Sequence, residues 1–211
     1  MKPLRRHSLV WLSEPPDAFD TDDGARAAAW QAQGRPFVVT RRRGEGAEIG
    51  LGFCTTDRHH PQLRPRRVAA QTVPQHIVES MRPLSLDAVA QCAAARTKAP
   101  AFARLQAAAS EAGVVVRVYG SWMWQALTDE RHVHEASDLD VVIDVVSLEE
   151  ADRAAAMLAR EEPTLAFRID GELSLADRGE VQWREYHQGE PEIVLKSIDA
   201  LRLVPRTELA P

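Results

Sequence analysis

The sequence predicts an α+β fold in two parts, a small N-terminal α+β module over residues 1–75 and a larger domain over 76–211 with an α/β-like core. Three observations carry this. A chain of 211 residues is long enough for one large domain or for a small domain beside a medium one, and at this size the core needs no disulfide support. Short strand signals crowd the first 55 residues, whereas helical periods alternate with β-branched runs after Ser85. The formal charge of −5 conceals a change along the chain, +4 over 1–75 and −9 over 76–211.

Leu9-Val10-Trp11-Leu12 reads as a strand, and Pro36–Thr40 and Glu48–Phe53 read as two more around the turn Arg43-Gly44-Glu45-Gly46. Between them the Ala-rich stretch Asp23–Gln33, ending before Gly34, predicts a short helix. Prolines at 65, 74 and 83 with little periodicity between them predict a linker on the surface. Ser85 is an N-cap candidate for a helix carrying Leu86, Val89, Ala90 and Ala93, and Ala101–Ala112 predicts a second helix stopped by Gly113. Val114–Tyr119 is a short β-branched strand ended by Gly120-Ser121, followed by a helical turn over Trp122–Leu127. Leu139–Val146 predicts a further strand and Leu148–Arg160 a helix closing before Pro163. Thr164–Leu175 and Glu180–His187 look like a hairpin through Asp177-Arg178-Gly179, and Glu192–Ser197 is the last strand expected.

Composition narrows the function classes. An acidic chain, pI ≈ 5.8, disfavours a duplex-DNA binder that works by phosphate neutralisation. Cys54 and Cys92 are far apart and form no metal or redox motif, which fits a reducing cytoplasm. Leu9–Leu12 is too short for a signal peptide, and no stretch approaches the roughly 20 apolar residues of a membrane span.

The chemistry concentrates in Tyr119-Gly120-Ser121-Trp122 and Ser137-Asp138-Leu139-Asp140-Val141. A strand running through Gly-Ser into a helix presents backbone N–H groups and a hydroxyl at the positive end of that helix, where phosphate binds. Asp138 and Asp140, two apart at a strand start, place both carboxylates on one face. Like charges so close repel unless a cation lies between them, and hard oxygen ligands completed by phosphates suit Mg²⁺. Each motif alone is commonplace as a solvated turn; their conjunction at the ends of adjacent strands points to metal-assisted displacement at phosphorus.

These residues resemble the polymerase-β-like nucleotidyltransferase superfamily, with its Gly-Ser at a helix start, its h-Asp-h-Asp-h strand and a third carboxylate on a later strand. Arg6-His7-Ser8-Leu9-Val10-Trp11-Leu12, the run Tyr119–Thr128 and Ser137–Val142 are more particularly similar to the phosphoribosyl-dephospho-CoA transferases of malonate decarboxylase, its holo-acyl-carrier-protein synthases. That resemblance implies a mixed sheet flanked by helices in residues 76–211. It also implies transfer of the prosthetic group from triphosphoribosyl-dephospho-CoA to a serine of the apo acyl-carrier protein, with release of pyrophosphate. Asp138 and Asp140 would be the essential metal-binding pair, with Mg²⁺ as the metal, and Gly120 and Ser121 would hold the phosphates. For the third carboxylate Asp170 is favoured because it follows the apolar Ile169; Glu172 on the same strand face is the alternative, and Glu180 and Glu185 stay open. Two other readings remain at this level, a nucleotidyltransferase acting on another hydroxyl acceptor and a non-catalytic nucleotide-binding partner.

The other polar clusters read more plainly. His132-x-His134 lacks neighbouring ligands and suggests a mobile substrate-facing loop rather than zinc. His59-His60 before Pro61 is a loop pair. Arg41-Arg42-Arg43 is a solvated hairpin tip, with the triphosphate or an acidic carrier surface as the alternative partner. Trp122 and Trp124 suit core packing, with adenine stacking as the alternative. Arg184 and Lys196, cations in apolar strands, must each meet a carboxylate or a phosphate.

Overall fold

The computed structural model of the protein describes residues 4–44, 46–56, 65–128, 130–175 and 178–209. Its contacts divide the chain into two units, Met1–Arg82 with Ser197–Ala200, and Pro83–Lys196 with Leu201–Pro211. The fold is α+β. No helix among the described residues is long and apolar enough to cross a membrane.

The first unit contains β1 (Leu9–Leu12), β2 (Asp17–Ala18), α1 (Thr21–Ala32), β3 (Phe37–Val39), β4 (Ile49–Thr55), β5 (Arg66–Thr72) and β6 (Ile77–Met81). The strands form one antiparallel sheet in the order β2-β5-β4-β3-β1-β6. Helix α1 starts at Asp20, whose carboxylate accepts the Asp22 N–H at 2.9 Å and so satisfies one of the helix's orphan donors. It lays Trp30 against Phe53, ring centroids 4.9 Å apart, and Phe53 meets Phe37 edge to face at 5.4 Å. The Trp30 indole N–H reaches the Pro36 carbonyl at 2.8 Å, so this buried aromatic keeps its polar end satisfied.

The expected surface linker over 65–83 is two strands. β5 pairs with β4 from Ile49↔Thr72 to Thr55↔Arg66 and buries Val68, Ala70 and Thr72 in alternation, while β6 pairs with β1. The prolines punctuate these strands instead of excluding them: Pro65 precedes β5, Pro74 opens the 3₁₀ turn Pro74–His76, and Pro83 follows β6. Glu45 of the turn expected at Arg43–Gly46 and the pair His59-His60 lie outside the described residues.

The second unit contains β7 (Leu84–Ser85), α2 (Leu86–Ala90), α3 (Ala99–Ala112), β8 (Val116–Val118), α4 (Gly120–Leu127), β9 (Leu139–Val145), α5 (Leu148–Glu161), β10 (Ile169–Leu175), β11 (Gly179–Gln182), α6 (Trp183–Gln188), β12 (Glu192–Lys196) and β13 (Leu201–Pro205). Its sheet runs β13-β12-β11-β10-β9-β8-β7, and only β9 and β10, joined through α5, are parallel. A parallel pair needs such a crossover, and Ser147 starts it by accepting the Glu150 N–H at 3.2 Å. Helix α3 ends at Gly113, φ 69°, in the left-handed cap that glycine adopts without strain.

Alternation divides the two faces of this sheet. Leu139, Val141, Ile143, Ile169, Leu173, Val116 and Val118 enter one buried core with Phe102, Leu105, Leu158 and Trp122 from the helices. Each such aliphatic side chain contributes about 1.5–3 kcal/mol through burial, so reversing the register of β9 would be prohibitive. The opposite face receives Asp140, Asp170, Glu172 and Ser174.

Two expectations for this unit are corrected. The second hairpin arm stops at Gln182, whose side chain accepts the Arg184 and Glu185 N–H groups and starts α6, so Glu185 lies on a helix. Residues 201–205 form the edge strand β13, paired in register with β12 from Lys196↔Leu201 to Glu192↔Pro205. Asp177 of the expected hairpin turn lies outside the described residues.

Candidate functional site

The site is built where β8, β9 and β10 meet the start of α4. β8 pairs antiparallel with β9, and the Tyr119 N–H donates to the Asp140 carbonyl at 3.0 Å, which holds the exit of β8 beside Asp140. The chain then enters α4 through Gly120 at φ 68°. A methyl group on Gly120 would overlap Asp140 Oδ2 and lie 2.7 Å from the carboxyl carbon. Glycine is therefore required twice here, for the left-handed backbone and for the approach of the carboxylate. The Tyr119 side chain does not cap α4, so the residue that precedes the helix leaves its first N–H groups, with Ser121 in the first turn, to other acceptors.

The parallel pairing sets Ile169 beside Leu139 and Asp170 beside Asp140. Neighbouring strands lie about 4.8 Å apart, so the Asp140 and Asp170 side chains are lateral neighbours on one face. Asp138 stands one pleat earlier, half-exposed, in a turn where Ser137 Oγ accepts the His134 N–H at 3.0 Å. Two in-register carboxylates and a third at the strand entrance repel one another in the absence of a cation. Among the described residues no three His, Cys, Asp or Glu side chains converge as a finished metal cage. A donor set of this kind suits an ion that takes one or two carboxylates and draws its other oxygens from water and phosphate, as Mg²⁺ does.

Glu172 and Glu180 are committed to the sheet. Glu172 is buried and accepts Lys196 Nζ at 2.8 Å, and Glu180 is buried opposite Ser174 and Lys196. A Cβ on Gly171, between Asp170 and Glu172, would meet the Trp183 ring at 2.7 Å on the other face, where α6 packs. Both uncertain cations find carboxylates: Lys196 meets Glu172, and Arg184 pairs with Glu162, donates to the Ile169 carbonyl at 2.9 Å and stacks over Trp183.

The remaining candidates are structural. His132 is buried, with Nε2 3.1 Å from Thr128 Oγ1, and Gln125 Oε1 accepts the His132 and Val133 N–H groups at 3.0 and 3.2 Å. The His132 side chain is thus turned inward, against the expectation of a mobile substrate-facing loop. Trp122 packs on Phe102 at 5.2 Å and Phe167 at 6.5 Å, and Trp124 is buried too, so neither presents a face to adenine. Arg43 lies over Phe19 at 5.4 Å.

No sequence motif marks Arg168. Its Nη1 lies 3.9 Å from Asp138 Oδ2, and with Glu162, Leu165, Phe167 and Arg184 it lines a hollow of about 490 Å³ at the start of β10. A cation two residues before the candidate acid Asp170 was the available signal.

Comparison with known proteins covers almost the whole chain. Residues 84–207 match the family model described as the phosphoribosyl-dephospho-CoA transferase MdcG C-terminal domain, and residues 5–83 match that of the MdcG N-terminal domain. A phosphoribosyl-dephospho-CoA transferase of Xanthomonas campestris pv. campestris (strain 8004) is 36% identical over 210 residues, 98% of this chain and 96% of the relative. One from Bradyrhizobium diazoefficiens is 35% identical over 214 residues, covering 97% and 92%. One from Azotobacter vinelandii is 30% identical over 202 residues, covering 94% and 91%. No solved structure matches at a significant level.

Proposed function

The chain belongs to the MdcG family of phosphoribosyl-dephospho-CoA transferases, and from that premise we propose that it modifies the apo acyl-carrier protein of malonate decarboxylase. The donor is triphosphoribosyl-dephospho-CoA. The carrier serine Oγ forms a bond to the α-phosphorus of the donor's triphosphate while the bond from that phosphorus to the bridging oxygen breaks. Pyrophosphate leaves, the serine proton passes to the medium, and the prosthetic group remains as a phosphodiester.

Asp138 and Asp140 hold Mg²⁺, with Asp170 as the third carboxylate. When bound, the ion supplies positive charge to the phosphate oxygens and to the incoming serine oxygen. Gly120 and Ser121 offer the N–H groups of the α4 terminus to the departing phosphates, and the absent Cβ leaves the Asp140 carboxylate room beside Gly120. In-line displacement depends mainly on positioning and charge, which this arrangement provides without a covalent enzyme intermediate. The observation that carries the reading is the single locus formed by Gly120 against Asp140 and Asp170 in register with it.

The test is the mass of the carrier. Incubation of apo carrier with the triphosphate donor and Mg²⁺ is expected to add the prosthetic group, and chelation of the metal to prevent it. Asp138→Ala and Asp140→Ala should each reduce transfer by about 10³-fold or more with the melting temperature little changed. Retained pyrophosphate release by Asp140→Ala would refute the assignment. Turnover on another hydroxyl acceptor with an unmodified carrier would instead identify a different nucleotidyltransferase.

A further inference from the structure

Arg168 is held in place by its backbone and left loose at its head. Its carbonyl accepts the Leu139 N–H at 2.8 Å, which fixes the residue where β9 and β10 begin side by side. Its side chain is 63% exposed, and the 3.9 Å separation from Asp138 is too long for a hydrogen bond. The neighbouring cations are tied down. Arg184 is bound to Glu162 and the Ile169 carbonyl, and Lys98 Nζ donates to the Ala166 carbonyl at 2.9 Å. Among the described residues lining the hollow, Arg168 is thus the guanidinium without a hydrogen bond, and it lies beside Asp138.

A polyphosphate approaching Asp138, Asp140 and Asp170 meets three negative charges, and one divalent ion offsets only part of them. We propose that Arg168 is a polyphosphate-binding residue, resting on Asp138 in the ligand-free protein and moving to the phosphate oxygens when a divalent ion takes that carboxylate. Planar guanidinium donors match phosphate oxygens, and a solvent-exposed 3.9 Å ion pair is cheap to break. The identity of the donor rests on the function proposed above; the anion site does not.

The exchange requires effects of opposite sign. Without phosphate, Arg168 competes with the metal for Asp138. With phosphate, it adds to binding. Mn²⁺ binding to the full-length protein, followed by the resonance of free Mn²⁺, should tighten by about threefold in Arg168→Ala. Binding of inorganic tripolyphosphate in the presence of Mg²⁺, followed by calorimetry, should weaken by roughly tenfold or more. Arg168→Lys, which keeps the charge but not the fork, should fall between. In the carrier assay Arg168→Ala should raise KM for the donor by about tenfold and leave kcat within about threefold.

Tripolyphosphate affinity unchanged in Arg168→Ala, absent from the wild-type protein, or lost together with Mn²⁺ affinity would overturn the proposal. An unmodified carrier alongside the opposed Mn²⁺ and tripolyphosphate shifts would refute the transfer reading and uphold the anion site.

Discussion

Replacing Gly120 by alanine tests the site at its tightest point. The added Cβ has to occupy space held by the Asp140 carboxylate, 2.7 Å from Cγ and 3.1 Å from Cβ, where ordinary contact begins near 3.4 Å. Asp140 must therefore move, or α4 must shift its first turn. The alanine must also hold φ near 68°, which costs an L-residue about 1–2 kcal/mol. For a chain of this length that strain alone lowers the melting temperature by about 2–8 °C. Displacing a group in the reacting geometry by about 1 Å costs on the order of 10²-fold in rate, so the expected result is a hundredfold slower carrier modification with a modest loss of stability.

Gly113 supplies the control. It has φ 69° at the end of α3, and nothing lies within 4 Å of its would-be Cβ. Gly113→Ala carries the same backbone strain without the clash, and should lose similar stability while keeping wild-type transfer per folded molecule. The assay is the initial rate of carrier mass increase beside a thermal melt of each protein. Transfer within threefold of wild type in Gly120→Ala, or an equal loss in Gly113→Ala, would refute the reasoning.

Asp170→Asn should slow transfer by about 10²-fold, whereas Glu172→Gln should act mainly on stability because Glu172 is the buried partner of Lys196; melts and transfer rates separate the two, and the reverse ranking would move the third carboxylate to Glu172. Burial and the 2.8 Å hydrogen bond to Asp152 push the Tyr186 phenol up to about 12. Because the folded value is raised, its contribution is fully present below the ordinary value near 10 and is lost as pH rises through about 12; with two tyrosines in the chain, ultraviolet titration should show one late transition that Tyr186→Phe removes. Hydrogen bonds from Arg160 and Arg104 hold Glu161 below its ordinary 4.5. This lowered value gives stability that is present above about pH 4.5 and lost as pH falls through the folded value, so the melting difference between wild type and Glu161→Gln should shrink on acidification.

Local signals were enough for the elements that local chemistry defines. Gly113 ended α3, Ser85 opened α2, and the β-branched run before Gly120 formed β8. The alternation that put Asp138 and Asp140 on one face was visible because Leu139 and Val141 needed the core. Elements that exist only through a partner were not visible. β5 and β6 look like a Pro-punctuated linker until β4 and β1 pair with them, and β13 has its Leu201 and Leu203 exposed on a sheet edge. Gln182 ended β11 and opened α6 by capping two backbone N–H groups, a choice that alternating hydrophobicity does not encode.

The sequence by itself determined the carboxylate pair, the Gly-Ser helix entrance and the family resemblance, because these depend on residue type and short spacing. Tertiary structure alone decided that Asp170 stands beside Asp140, that Glu172 is taken by Lys196, and that Gly120 yields its Cβ space to Asp140. Each of those relations joins segments 20 or more residues apart, and each was fixed by strand register, which follows from burying one whole face of the sheet rather than from any motif.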